Sequence, residues 1–179
     1  MLTMLQNRRS TRQFDTRPVD TATRSELLEA LLRAPTSRGR NPWEFIVIDN
    51  PETLQQLSTA KAAGAGFLAG AQLAVAITAD PEVSDVWTED CAIAAITLQY
   101  AAENLGLGSC WAQLRLRENS AGQDAEAVAR KILGLPDSFR VPCIIGLGYP
   151  AKKLPGHARE ELPWGKLHNA NYGTPLENI

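Results

Sequence analysis

Thr88-Glu-Asp-Cys-Ala-Ile-Ala-Ala-Ile-Thr-Leu-Gln-Tyr-Ala-Ala-Glu-Asn-Leu105, followed at once by Gly106-Leu-Gly-Ser-Cys-Trp111, is the stretch around which this chain is organised. Cys91, Ala95, Leu98, Ala102 and Leu105 recur at helical spacing as one apolar seam, and Ile93, Ile96 and Tyr100 form a second on another side. A helix apolar around so much of its circumference is buried on several sides. Its alanines leave room for another helix to come close. Gly106 stands where a left-handed residue closes such a helix, and Ser109 to Leu114 then reads as a strand.

The neighbouring segments complete the pattern. Glu44–Asp49, which contains Phe-Ile-Val-Ile, Leu73–Thr78 and Val141–Leu147 predict three more strands, apolar and rich in β-branched residues. Thr23 and Glu26 have the spacing of a capping box, ahead of a helix carrying Leu27, Leu28, Leu31 and Leu32 as far as Ala34, where Pro35 stops it. Asn50-Pro51 opens another helix, predicted to reach Ala63, because proline is tolerated in a first turn. Ala121–Leu133 predicts a last helix, closed by Gly134. From Tyr149 onward no period holds, yet Leu154, Leu162, Trp164, Leu167 and Tyr172 are more apolar than a solvated tail needs. About 30 residues without elements of their own are uncommon in a compact domain, so the tail is expected to wrap something, with a second subunit the candidate. No repeat or linker interrupts the chain, and residues 1–179 read as a single domain.

Composition narrows the function. With 44% hydrophobic and 21% charged residues the chain is not a disordered one. A net charge of −2 gives the whole molecule no attraction to nucleic acid or an anionic membrane, so an anion site has to come from clustered arginines. Cys91, Cys110 and Cys143 are far apart and form no CxxC pair, and the two histidines, His157 and His168, both lie in the tail. No metal site is expected from these spacings, and reduced thiols place the chain in the cytoplasm. The N-terminus puts its apolar residues before its charges, the reverse of a signal peptide. The longest apolar run, Ala71–Ala79, is about half a bilayer span. There is no P-loop and no nucleophile elbow, and neither Gly64-Ala-Gly66 nor Gly106-Leu-Gly108 has the context of a dinucleotide fingerprint. Cys110 has no basic neighbour in sequence and reads as a buried thiol.

Three polar clusters remain. Arg8, Arg9, Ser10 and Arg12 supply forked donors and a hydroxyl, which suit a phosphate, although on charge alone they read as a solvated basic head. Thr36, Ser37, Arg38, Gly39, Arg40 and Asn41 form a loop between a helix and a strand. Gly108-Ser-Cys-Trp-Ala-Gln113 follows the long helix; by itself it is a tryptophan packed in a core.

In order, Arg8-Arg9-Ser10-x-Arg12-x-Phe14 with Pro18-Val19, Ala34-Pro35-Thr36-Ser37 with Pro42-Trp43-Glu44-Phe45-Ile46-Val47, Gly106-Leu-Gly108-Ser-Cys-Trp111 after an Asp90-containing helix, and Leu147-Gly148-Tyr149-Pro150 resemble the four motifs of the nitroreductase family. The resemblance implies an α+β fold, a three-layer α-β-α sandwich whose central mixed, mostly antiparallel sheet is flanked by helices, with the C-terminal tail wrapping the partner subunit. It implies a homodimer with FMN at the interface and NADH or NADPH as electron donor. Hydride would pass through flavin N5, in a ping-pong cycle, to a nitroaromatic, quinone or similar acceptor. The same scaffold could instead serve another redox reaction, such as ring oxidation, dehalogenation or flavin fragmentation, or bind flavin without catalysis.

The resemblance also distributes roles. Arg8 and Ser10, with Arg9 alongside, would hold the flavin phosphate, and Arg12 would reach the N1/O2 edge of the ring. Thr36, Ser37, Arg38, Gly39 and Asn41 would come from the other subunit. Main-chain groups of Trp111, Ala112 and Gln113 would face N5, and Arg159, then Lys153 or His157, would close on the phosphate. No protein acid or base is required, because the flavin carries the chemistry. Gly39 and Asn41 depart from the asparagine and glutamine common in the family, leaving Arg38 or Arg40 to replace a lost contact. Gln113-Leu114-Arg115 departs from a glycine-rich continuation, so Arg115 would narrow the pocket.

Overall fold

Seven consecutive buried residues place Leu73–Ala79 (β2) in the middle of a sheet whose two faces are both covered. The computed structural model describes residues 1–176, so the last three residues of the expected 1–179 domain lie outside it. β2 pairs on one side with Trp43–Ile48 (β1) and on the other with Arg140–Gly148 (β4), which pairs in turn with Gly108–Gln113 (β3). The order is β1-β2-β4-β3, and every pairing is antiparallel. Among the described residues the one parallel contact is an isolated bridge between Ser10 and Ser109, so the expected mixed character of the sheet reduces to that bridge.

The two-residue period of a strand sends alternate side chains to opposite faces. On one face Leu73, Val75 and Ile77 of β2, with Cys143, Ile145 and Leu147 of β4, meet Leu27 and Leu31 of α2 (Thr21–Leu32) and Cys91, Ala95, Leu98 and Ala102 of α4 (Trp87–Asn104). On the other face Ala74, Ala76, Ile144, Cys110 and Ala112 meet Leu54 and Leu57 of α3 (Pro51–Ser58) and Ala125 and Ala129 of α5 (Ala125–Leu133). These are the three expected layers. Cys91, Ala95, Leu98 and Ala102 of the first seam are buried as expected, while Leu105 at its end is half-buried; on the second side Ile93 is 38% exposed and Ile96 and Tyr100 are only half-buried. Burial drives the Cys91 thiol up to about 12, with Asp90 and Glu126 pushing the same way, and raises Cys143 still more clearly.

Local chemistry corrects several boundaries. The cap of α2 is Asp20 rather than Thr23. Its carboxylate accepts the Thr23 N–H at 2.9 Å and the Thr23 hydroxyl at 2.8 Å, and a full negative charge suits a helix N-terminus better than a hydroxyl. Those hydrogen bonds hold the Asp20 carboxyl below its ordinary value. Its contribution to stability is therefore present above about pH 4 and fades as the pH falls through the folded-state value. Asp20→Ala should lower the melting temperature at neutral pH, and the gap to wild type should narrow on acidification, as melts across that range will show. α3 ends at Ser58, short of Ala63, and α5 begins at Ala125 with Asp124 as its cap, because Asn119 folds the preceding residues into a turn. A short helix, α1 (Leu2–Asn7), occupies the basic head, where none was expected. Among the described residues the tail has as helical elements the single turns Arg159–Glu161 and Trp164–Lys166, and it leaves Leu154, Leu162, Leu167 and Tyr172 exposed. No helix among the described residues is long and apolar enough to cross a membrane.

Candidate functional site

The chain leaves α1 at Arg8 in extended conformation and straps itself across the ends of β3 and β4. Thr11 N–H donates to Ser109 O at 2.9 Å, Asp15 N–H to Tyr149 O at 2.9 Å, and Ala151 N–H returns to Gln13 O at 3.0 Å. This approach requires glycine at 108, where a Cβ would lie 2.5 Å from the Thr11 hydroxyl oxygen. Gly108→Ala should cost about 1–3 kcal/mol by overpacking. Adding Thr11→Gly should recover much of it, and a Gly108→Ala protein that melts like wild type would refute the packing.

The strap bridges Ser10 to Ser109 on β3, which brings the charges of Arg8 and Arg12 to bear on the next residue, Cys110. Burial raises the Cys110 thiol, while Arg12, the Trp111 backbone, Arg8 and Ser10 oppose that rise. The thiol is buried as expected, but the basic neighbours it lacks in sequence reach it through the fold. None of Arg8, Arg9 and Arg12 pairs with a carboxylate among the described residues. Lys61 joins this positive region unannounced by any motif: burial and then Arg117 push its ammonium down, while Cys110 pulls it the other way.

The tail meets the same region at two points. Arg9 donates to the Pro155 carbonyl, and Lys153 lines a small hollow with Arg9 and Thr11. Arg159 lines a cavity of about 570 Å³ between α1 and the tail, shared with Arg8, and its guanidinium lies 4.5 Å from the Trp164 ring centre. His157 is turned to Glu161 at 3.6 Å.

Next along β3, the Trp111 indole N–H donates to Gln113 Oε1 at 2.9 Å, and Gln113 Nε2 donates to the Arg115 carbonyl at 3.0 Å. The Gln113 amide thus clamps the strand end that a glycine-rich continuation would leave loose. Arg115 packs 5.7 Å from the Trp87 ring. Because β3 is an edge strand, one side of its backbone has no strand beside it and can offer N–H groups to a ligand.

The Thr36–Asn41 loop is built differently. Arg38, Gly39 and Asn41 all have left-handed φ, at 55°, 65° and 49°. For a non-glycine residue this costs on the order of 1–3 kcal/mol and persists where surrounding contacts over-determine it. Thr36 Oγ1 donates to Asn41 Oδ1 at 2.8 Å and accepts the Asn41 N–H at 3.1 Å. Ser37 N–H donates to Asp90 Oδ1 at 2.8 Å, at the start of α4. By contrast Ser109 meets Gln99, nine residues farther along α4 and so roughly 13 Å along its axis. No hydrogen bond or ion pair among the described residues joins this loop to Arg8, Ser10 or Arg12. One chain brings the first and third sequence clusters together and leaves the second apart.

The sequence model described as Nitroreductase family matches residues 5–80 and 59–149. A provisionally named NADH dehydrogenase/NAD(P)H nitroreductase of Archaeoglobus fulgidus is 33% identical over 153 residues, covering 83% of this chain and 84% of its own. An NADH dehydrogenase of Thermus thermophilus is 29% identical over 185 residues, covering 87% of this chain and 88% of its own. Among solved structures, an FMN-dependent nitroreductase from Clostridium difficile R20291 superposes with a TM-score of 0.94 at 39% identity, covering 96% of this chain and all of the other.

Proposed function

The chain belongs to the nitroreductase family, and on that premise we propose that it is an NAD(P)H-dependent FMN oxidoreductase, a single domain working as a homodimer in the cytoplasm. The observation that carries the reading is the strap that sets Ser10 beside Ser109 on β3, with Arg8, Arg9 and Arg12 around it and none of them paired with a carboxylate among the described residues. Forked donors plus a hydroxyl fit a phosphate monoester, and the free backbone edge at Trp111 fits a planar ring with hydrogen-bonding atoms along its rim.

Within this reading Arg8 and Ser10 bind the FMN phosphate, Arg9 ties the tail down beside them, and Arg159 or Lys153 closes over it. Arg12 is assigned to the N1/O2 edge, where a guanidinium favours added negative charge and raises the reduction potential. Main-chain groups at Trp111, Ala112 and Gln113 are assigned to N5, their direction held by the Gln113 clamp. Thr36, Ser37, Arg38, Gly39 and Asn41 are assigned to the partner subunit's flavin, which fits their distance from Arg8 within one chain. The exposed tail leucines and Ile93 support a subunit interface, and three unpaired thiols support a reducing compartment. When bound, FMN would supply the two-electron chemistry between NADH or NADPH and a nitroaromatic, quinone or similar acceptor, with ping-pong kinetics.

The test is a visible spectrum of protein mixed with FMN and freed of excess, followed by anaerobic titration with NADH and NADPH. Retained flavin absorbance that either nicotinamide bleaches is expected. A protein that stays colourless overturns the reading, and one that holds FMN but is bleached by neither donor loses the NAD(P)H assignment.

A further inference from the structure

We propose that Asp90 is a positioning residue for the flavin site, holding the Thr36–Asn41 loop so that Arg38, and not Arg40, is the cation the loop presents to bound FMN. The inference rests on the FMN reading above and goes beyond it in naming how the loop is set.

Asp90 is 2% exposed, in the first turn of α4, and both of its carboxylate oxygens are used. Oδ1 accepts the Ser37 N–H at 2.8 Å, and Oδ2 accepts the hydroxyl of Ser84, itself buried, at 3.2 Å. One buried carboxylate thereby fastens the loop to the segment preceding α4. A second fastening follows directly, since Asp80 N–H donates to the Pro42 carbonyl at 3.1 Å. Between these two points the backbone turns left-handed at Arg38, Gly39 and Asn41, a conformation an unanchored loop would abandon.

The anchoring separates the two arginines. Arg40 is drawn back onto the same segment, 3.6 Å from Asp85 and 3.5 Å from the Val83 carbonyl. Arg38 is exposed and makes no hydrogen bond or ion pair among the described residues. A guanidinium held on a strained, over-fastened turn with its five donors free is placed for an anionic ligand.

The experiment titrates flavin-free protein with FMN and reads the quenching of flavin fluorescence. Arg38→Ala should weaken binding about tenfold, the size of one charge-assisted hydrogen bond. Arg40→Ala should change it less than about threefold, because an exposed pair contributes little. Asp90→Ala should also cost about tenfold, and the Asp90→Ala/Arg38→Ala double variant should be no weaker than about the worse single variant, since both remove the same contact. Asp90→Asn keeps an acceptor for the Ser37 N–H and should return to within about threefold of wild type, which loss of bulk stability would not predict. Arg38→Ala binding like wild type, Arg40→Ala costing as much as Arg38→Ala, or a double variant that loses the product of both single effects would overturn the proposal. If Asp90→Ala does not fold, the two arginine variants and Asp90→Asn still decide it. Wild-type protein that binds no FMN fails in a separate way, by removing the function reading itself.

Discussion

Arg8→Ala should loosen FMN by about a hundredfold while leaving the flavin-free protein's melting temperature unchanged. A hydrogen bond to a charged group contributes about 1.5–3 kcal/mol, and each 1.4 kcal/mol is a factor of ten in affinity. Arg8 follows a six-residue helix with no buried residue and pairs with no carboxylate among the described residues, so its loss breaks neither core packing nor an ion pair. Arg8→Lys keeps the charge but not the planar fork, and should recover part of the loss. Flavin titration of each purified variant checks this, and a dissociation constant within about threefold of wild type for Arg8→Ala would remove Arg8 from the phosphate site.

The largest effect on stability is expected at Leu98. Its side chain is fully buried where α4 lies on the sheet, in the cluster that includes Val75, Ile77 and Ile145. Truncation to alanine removes the transfer free energy of the lost carbons and leaves a cavity, for about 3–4 kcal/mol. A domain of this size loses roughly 2–4 °C per kcal/mol, so the melting temperature should fall by about 10 °C. Leu98→Met preserves volume and should cost less than about 1.5 kcal/mol. Urea denaturation of both variants supplies the free energies, and equal values would mean that shape at this position does not matter.

Much of this architecture is legible before any coordinates. Apolar runs such as Leu73–Ala79 must be buried on both faces, and the seam through Cys91, Ala95, Leu98 and Ala102 has to be covered by other apolar elements. Gly106 and Gly134 mark helix ends through their left-handed φ of 75° and 67°. The errors arise where several residues compete for one job. Asp20 and Thr23 are both good caps, and only the observed hydrogen bonds choose between them. α1 has no side-chain cap and no buried residue, so it leaves no periodic signal.

The site divides along the same line. Arg8, Ser10 and Arg12 are close in sequence and visible as a cluster, but their meeting with Ser109 and Cys110 is a product of strand order. Lys61 enters the same region from just beyond α3, and Asp90 reaches the loop across 53 residues of sequence. No local pattern encodes either.

The three cysteines turn the packing into a clock. A thiolate is the species that alkylates, and burial raises all three thiols above their ordinary values. With Cys91 and Cys143 on one side of the sheet and Cys110 on the other, iodoacetamide in native buffer has to wait for the layers to part. Intact-mass spectra should then show molecules gaining tags three at a time, at the rate of whole-molecule opening.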